Sequence, residues 1–277
     1  MDKRSILAYI MIGAVLITFF TLNQPTPEEI ERQKAQQTLQ AQQKEQQQIL
    51  QEEQARTAQE NENRLKNDSA GIYFNVLNGS EEIITLANKN ISIDISTHGA
   101  RIARAMLNDY NDQQGNSLTL FDSKDKLNVT DANREENGPN MLDCEFEFKQ
   151  GLENINTSEC YFAVQEKSDS TATLRLDFNE DRYIDFVYSL NGDSYMVNLS
   201  IVAHNMSSLL STKDNISIDW VQLLRQHEPG YDFEQRYTNI TYKPVDDDSD
   251  YLSEMQNDSE KFTQPMSWIA YKNQFFS

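Results

Sequence analysis

Three histidines, two cysteines and one run of acids are the side chains in this sequence with the most chemical potential. His98, His204 and His227 lie far apart. No pair has the i, i+4 spacing that would set two imidazoles on one helical face for a metal. His98 stands beside Gly99 in a turn and His204 at a strand end, so both read as surface or strand-end polar residues. Cys144 and Cys160 form no Cys-x-x-Cys pair. They read either as a disulfide in an oxidising compartment or as two buried free thiols. The run Asp246-Asp247-Asp248-Ser249-Asp250 supplies acids at positions 1, 3 and 5 of a calcium loop. Position 6 is Tyr251 instead of Gly and position 12 is Asn257 instead of Glu, so a solvated acidic loop is expected. Glycines never stand closer than eight residues apart, which excludes a phosphate-cradling loop and a dinucleotide fingerprint. A Gly-x-Ser-x-Gly elbow is also missing. The expectation is a protein that is not an enzyme, with no catalytic residue, no cofactor and no metal site.

The element that positions everything else is Ser5 to Leu22, 18 residues without a charge. As a helix it would span roughly 27 Å, close to the hydrocarbon thickness of a bilayer. Ile6, Leu7, Ile10, Ile12, Val15, Leu16, Ile17, Phe19, Phe20 and Leu22 are its apolar anchor residues. Lys3 and Arg4 precede it and Glu28, Glu29 and Glu31 follow, so the N-terminus is expected in the cytoplasm and the rest across the membrane. A cleaved secretory signal has a similar make-up. The apolar run here is long, however, and no small-x-small site follows it, which favours an uncleaved anchor.

Net charge is −20, from 24 basic and 44 acidic residues. So acidic a chain repels nucleic acid, whose binding rests on Lys and Arg neutralising phosphates. It also argues against a peripheral docking patch for anionic lipid. Between Gln33 and Gln59 twelve of 27 residues are Gln, with Glu, Ala, Lys and Arg filling most of the rest. A polar helix or disordered spacer is expected there, because the few apolar residues lack a 3.5-residue repeat.

After Ile72 the pattern changes to period two. Ile91, Ile93 and Ile95 alternate with Ser92, Asp94 and Ser96. Leu142, Cys144, Phe146 and Phe148 oppose a polar row of Asp143, Glu145, Glu147 and Lys149. Leu174-Leu176-Phe178, Ile184-Phe186-Tyr188-Leu190 and Tyr195-Val197-Leu199-Ile201 follow, joined by turn residues that include Asn191-Gly192-Asp193. Ile216, Ile218 and Trp220 add another strand. Many short strands with turn signals indicate a mainly β, antiparallel sandwich with one wet face. The division expected is an anchor at 1–24, a spacer at 25–66, a β-sandwich domain at 67–262 and an aromatic segment at 263–277. Trp268, Tyr271, Phe275 and Phe276 fall in that last segment, either at a membrane interface, which favours aromatics, or packed on the domain. The chain stops on Phe275-Phe276-Ser277 with no helix stop signal, as if its continuation lay beyond.

Several stretches together resemble the YidC-type membrane protein insertases, especially the Bacteroidetes kind: the start MDKRSILAYIMIGAVLITFFTLNQPTPEE, then ISIDISTHGARIARAMLNDY (91–110), RYIDFVYSLNGDSYMVNLSIVAHNM (182–206), ISIDWVQLL (216–224) and WIAYKNQFFS (268–277). The resemblance runs through the whole chain in order. It implies a periplasmic β-supersandwich of mutarotase-like fold on an inner-membrane anchor, with residues 263–277 leading to a second transmembrane helix. It further implies a chaperone and insertase for inner-membrane proteins, working alone or with the Sec translocon, with nascent membrane proteins and the lipid bilayer as partners. The insertion groove of such a protein belongs to later helices absent from this sequence. The alternative is an anchored carbohydrate-binding or mutarotase-like sandwich, which requires a His and an acid converging in an aromatic cleft.

Replacing three residues within Ile10–Phe19 by charged ones is expected to abolish membrane retention, since each charge at mid-membrane costs about 3 kcal/mol. Carbonate-resistant pelleting of that variant would contradict the anchor.

Overall fold

The computed structural model describes residues 27–68, 71–112, 115–125, 141–149, 152–179, 181–211, 216–225, 227, 231–253 and 258–276. The apolar stretch Ser5–Leu22, with Lys3 and Arg4, lies outside the described residues. Among those described, no helix is long and apolar enough to cross a membrane. The chain divides into two compact units, Met1–Arg64 and Leu65–Ser277.

Helix α1 (Pro27–Asn67) occupies almost all of the Gln-rich stretch. Its residues are good helix formers, and Pro27 sits at the first position, where a missing N–H costs no hydrogen bond. Ile49 and Leu50 are exposed, in keeping with a helix that lacks an apolar stripe.

The second unit opens with one helical turn, α2 (Phe74–Leu77), and continues as strands. β1 (Ile83–Ala87), β2 (Ile91–Ser96), β3 (Arg101–Asn111) and β4 (Ser117–Asp122) form one antiparallel meander. β7 (Ala163–Lys167), β8 (Thr171–Asn179), β9 (Arg182–Leu190) and β10 (Val197–His204) form another. β5 (Met141–Phe146) pairs with β6 (Ile155–Asn156) on one side and β11 (Ile216–Val221) on the other. β12 (Asn239–Pro244) is the centre of a last sheet between β13 (Asp250–Ser253) and β14 (Met266–Lys272).

The period-two pattern explains the packing. Ile84, Leu86, Ile93 and Ile95 of the first meander are buried, as are Leu174, Leu176, Phe178, Ile184, Phe186 and Tyr188 of the second, in one cluster with Cys144 and Phe146 of β5. Phe186 meets Phe162 at 5.0 Å and Phe146 at 6.3 Å between ring centroids, both edge-on, an arrangement the ring quadrupoles favour. Tyr188 is buried through its hydroxyl, which donates to the Ala100 carbonyl at 2.6 Å. That carbonyl lies in the tight turn between β2 and β3, where Gly99 has φ +84°, a conformation Gly adopts without a Cβ clash. Asn88 and Asn90 donate from their amides to the Ser194 and Asp193 carbonyls, tying the β1–β2 turn to the β9–β10 connection.

The two cysteines are both buried and unbonded. Burial pushes the Cys144 thiol up to about 11 and the Cys160 thiol higher still, so both stay protonated and unreactive at neutral pH.

Phe186→Ala is expected to cost about 3–5 kcal/mol, read as a lower denaturation midpoint with an unchanged slope. An unaltered midpoint would contradict the assigned register.

Candidate functional site

The apolar core faces of two sheets run out at their edges. In β10, Val197, Leu199 and Ile201 stand opposite Leu190, Tyr188 and Phe186 of β9, so they continue that buried face, yet they are only half-buried. In β11, Ile216, Ile218 and Trp220 stand opposite Phe146, Cys144 and Leu142 and are 42%, 62% and 43% exposed. Among the described residues, each of these strands pairs with another strand on one side only. An apolar groove lies between them. A cavity of about 230 Å³ is lined by Leu142, Tyr188, Val197, Leu199 and Trp220, with Ile102 and Phe121 closing it from the first sheet. A second, of about 160 Å³, continues past Ile201 and Ala203 of β10 and Ile216 of β11. This arrangement offers apolar side-chain slots at alternate positions beside two strand edges, on one of which the Trp220 carbonyl already accepts from Tyr271. It has the chemistry to hold an extended apolar segment.

Outside the groove, Asp94 and Asp143, which the alternation sets in polar rows, are buried instead, and so is Asp185 of β9. Asp94 accepts from the Thr85 hydroxyl at 2.6 Å and from Arg104 Nε at 2.8 Å. Asp185 receives a two-pronged Arg175 at 2.8 and 2.9 Å. The Arg175 guanidinium lies 3.4 Å over the Tyr183 ring, against which His204 stacks at 4.4 Å. His204 Nε2 is 3.9 Å from that carboxylate, beyond hydrogen-bond reach. Asp143 is 4% exposed. Its Oδ1 has no hydrogen-bond partner, and the Arg101 guanidinium stands 3.8 Å away. Burial lifts its carboxyl above the usual range; Arg101 opposes the shift and Asp219, directly across on β11, adds to it. His98 is half-buried and stacks on Tyr161 at 4.5 Å; burial and Arg101 lower its pKa. His98, Asp143 and Asp185 line neither groove cavity. Among the described residues, no group of three or more His, Cys, Asp or Glu is placed to hold a metal.

The four aromatic residues near the C-terminus take separate positions. Tyr271 donates its hydroxyl to the Trp220 carbonyl at 2.6 Å and meets the Trp220 ring edge-on at 4.8 Å. This contact joins β14 to the groove strand β11. Trp268, three residues earlier on β14, projects from the opposite face and is 45% exposed. The buried Asn273 accepts from the backbone N–H groups of Phe275 and Phe276. This turn leaves Phe275 exposed and packs Phe276 against the core and Tyr110. Sequence reasoning missed the groove because a half-buried edge strand and a fully buried one share the same alternation.

Residues 83–277 match the family model described as the YidC periplasmic domain. The whole chain aligns with the membrane protein insertase YidC of Phocaeicola vulgatus at 41% identity, of Bacteroides fragilis at 34% and of Parabacteroides distasonis at 32%. The chain spans 42%, 42% and 43% of the length of these curated relatives. A solved GalM/aldose epimerase homologue from C. elegans aligns over 60% of this chain and 58% of its own, at 14% identity and a TM-score of 0.28, too loose a likeness to argue from.

The buried Asp143 makes stability depend on pH. Its folded-state pKa is raised, so the native state holds the proton more tightly than the unfolded chain. Stability from this group therefore falls as pH rises from the ordinary carboxylate range through the raised value. Asp143→Asn removes that slope. Its denaturation midpoint is expected to gain on the wild type as pH rises above about 4, the ordinary carboxylate value. A difference that stays constant as pH rises would contradict the burial argument.

Proposed function

Because the chain belongs to the YidC periplasmic-domain family, we propose that it is the anchored, periplasmic part of a membrane protein insertase and chaperone of the bacterial inner membrane. The observation that carries this reading is the ordered match of the whole chain to insertase relatives. In this reading Ser5–Leu22 is the transmembrane anchor, with Lys3 and Arg4 on the cytoplasmic side, and the β-rich unit is periplasmic. α1 is the spacer between them. Nascent inner-membrane proteins are the clients, and the Sec translocon and the lipid bilayer are the other partners.

The physical task of such a protein is to shelter apolar and polar segments that neither water nor hydrocarbon accommodates well. It needs no nucleophile, metal or cofactor. The groove between β10 and β11 suits the periplasmic share of that task. An extended client segment there would place apolar side chains against Leu199, Ile201, Ile218 and Trp220 while its backbone borrows a strand edge. Short, shallow and only half-enclosed slots favour weak, sequence-tolerant holding, which a chaperone requires.

A photoreactive side chain at Ile218, in inner-membrane vesicles synthesising an integral membrane protein, is expected to crosslink to the nascent chain. The same probe at Val202, exposed on the outer face of β10, is expected to label it far less. Equal labelling from both positions, or none from Ile218, would contradict the client groove.

A further inference from the structure

The sheet formed by β12, β13 and β14 has two faces of different character. On one, Tyr271, Ile240 and Leu252 stand in register and line a cavity of about 400 Å³. On the other, register places Trp268 beside Lys243, and sets Thr241 between Ala270 and Tyr251 and Asn239 between Lys272 and Ser253. These eight residues include two lysines and no carboxylate, in a chain where acids outnumber bases 44 to 24. Asp250, the acid of β13, pairs with Tyr242 and so belongs to the opposite face. Tyr251 and Trp268 are 60% and 45% exposed. The acids Asp246–Asp248 lie in the turn that follows β12, where Asp247 offers its backbone carbonyl to Lys243 Nζ.

We propose that this carboxylate-free aromatic face docks on the headgroup level of a lipid bilayer. Trp and Tyr are enriched at the membrane–water interface, where an apolar ring and a polar edge are both satisfied. Lysine stems lie along apolar surface and carry their ammonium groups to phosphate. A protein partner fits less well, because protein interfaces favour Trp and Tyr but are depleted of Lys. The overall charge of −20 repels an anionic surface, so approach is favoured through a face whose own strand residues include lysines, here Lys243 and Lys272, and no carboxylate. Docking here would fix how the domain stands over the membrane, with β14 at the contact and its Tyr271 reaching back to the groove strand. The inference rests on the membrane placement proposed above and adds a second, peripheral contact to the anchor.

The chain contains two tryptophans, Trp220 and Trp268, which makes the test direct. The full chain is reconstituted in vesicles of phosphatidylcholine and phosphatidylglycerol with brominated acyl chains, which quench nearby indoles. Wild type and Trp220→Phe, which keeps only Trp268, are expected to be quenched. Trp268→Phe, which reports Trp220, is expected to lose that quenching. Lys243→Glu with Lys272→Glu is expected to lower the docked-to-undocked ratio about fivefold or more per lysine. Equal quenching of wild type and Trp268→Phe would overturn the proposal, as would an unquenched Trp268 in chains that resist carbonate extraction. Loss of carbonate resistance with Trp268 quenching retained would remove the anchor and leave the docking face standing.

Discussion

The burial of one strand face, Ile184-Phe186-Tyr188 of β9, holds the β-rich unit together. All three side chains are at most 2% exposed. Phe186 reaches Phe146 on β5 and Phe162 beside β7, while Tyr188 spends its hydroxyl on a carbonyl of the first sheet. A buried hydroxyl without that acceptor would lose about 1–3 kcal/mol. The Gly99 turn is therefore part of the core's polar accounting as well as a chain reversal. These rings and this hydrogen bond link three sheets.

The groove follows from the same packing. A sheet that is buried in its middle must end somewhere, and β10 and β11 are where two core faces end. Their inward residues are those of any core strand, but among the described residues no further strand covers them. Exposed apolar patches of this kind mark binding surfaces in soluble domains. The Tyr271 hydrogen bond to the Trp220 backbone couples the groove wall to the last sheet. A shift of β14 would then reach β11 through one contact.

Most of the strand pattern was legible in the sequence. Alternation alone located β2, β8, β9 and β10, and the Asn-Gly-Asp turn located the chain reversal after β9. The buried acids were not legible. Asp94, Asp143 and Asp185 alternate with apolar residues as surface acids do, and it is the cross-strand and cross-sheet arginines Arg104, Arg101 and Arg175 that face them. Those partners stand ten or more residues away and enter no local pattern. The groove was hidden for the related reason that alternation reports which face a residue takes and says nothing of whether another element covers it. The aromatic C-terminal segment was legible as aromatic, but the strand register divides Trp268 from Tyr271, and the Asn273 turn divides Phe275 from Phe276. The family resemblance was carried by ordered stretches throughout the chain, and the family match covers the same β-rich region.

If the edges of β10 and β11 hold an extended apolar segment, their backbone amides must gain partners when it binds. Amide hydrogen exchange of the full chain in nanodiscs, with and without a peptide apolar at alternate positions, tests this most directly. New protection confined to residues 197–203 and 216–221 is the predicted result, because a strand added there would hydrogen-bond their outward-facing amides. Unchanged exchange in both strands at saturating peptide, or protection only in β1 to β4, would contradict it.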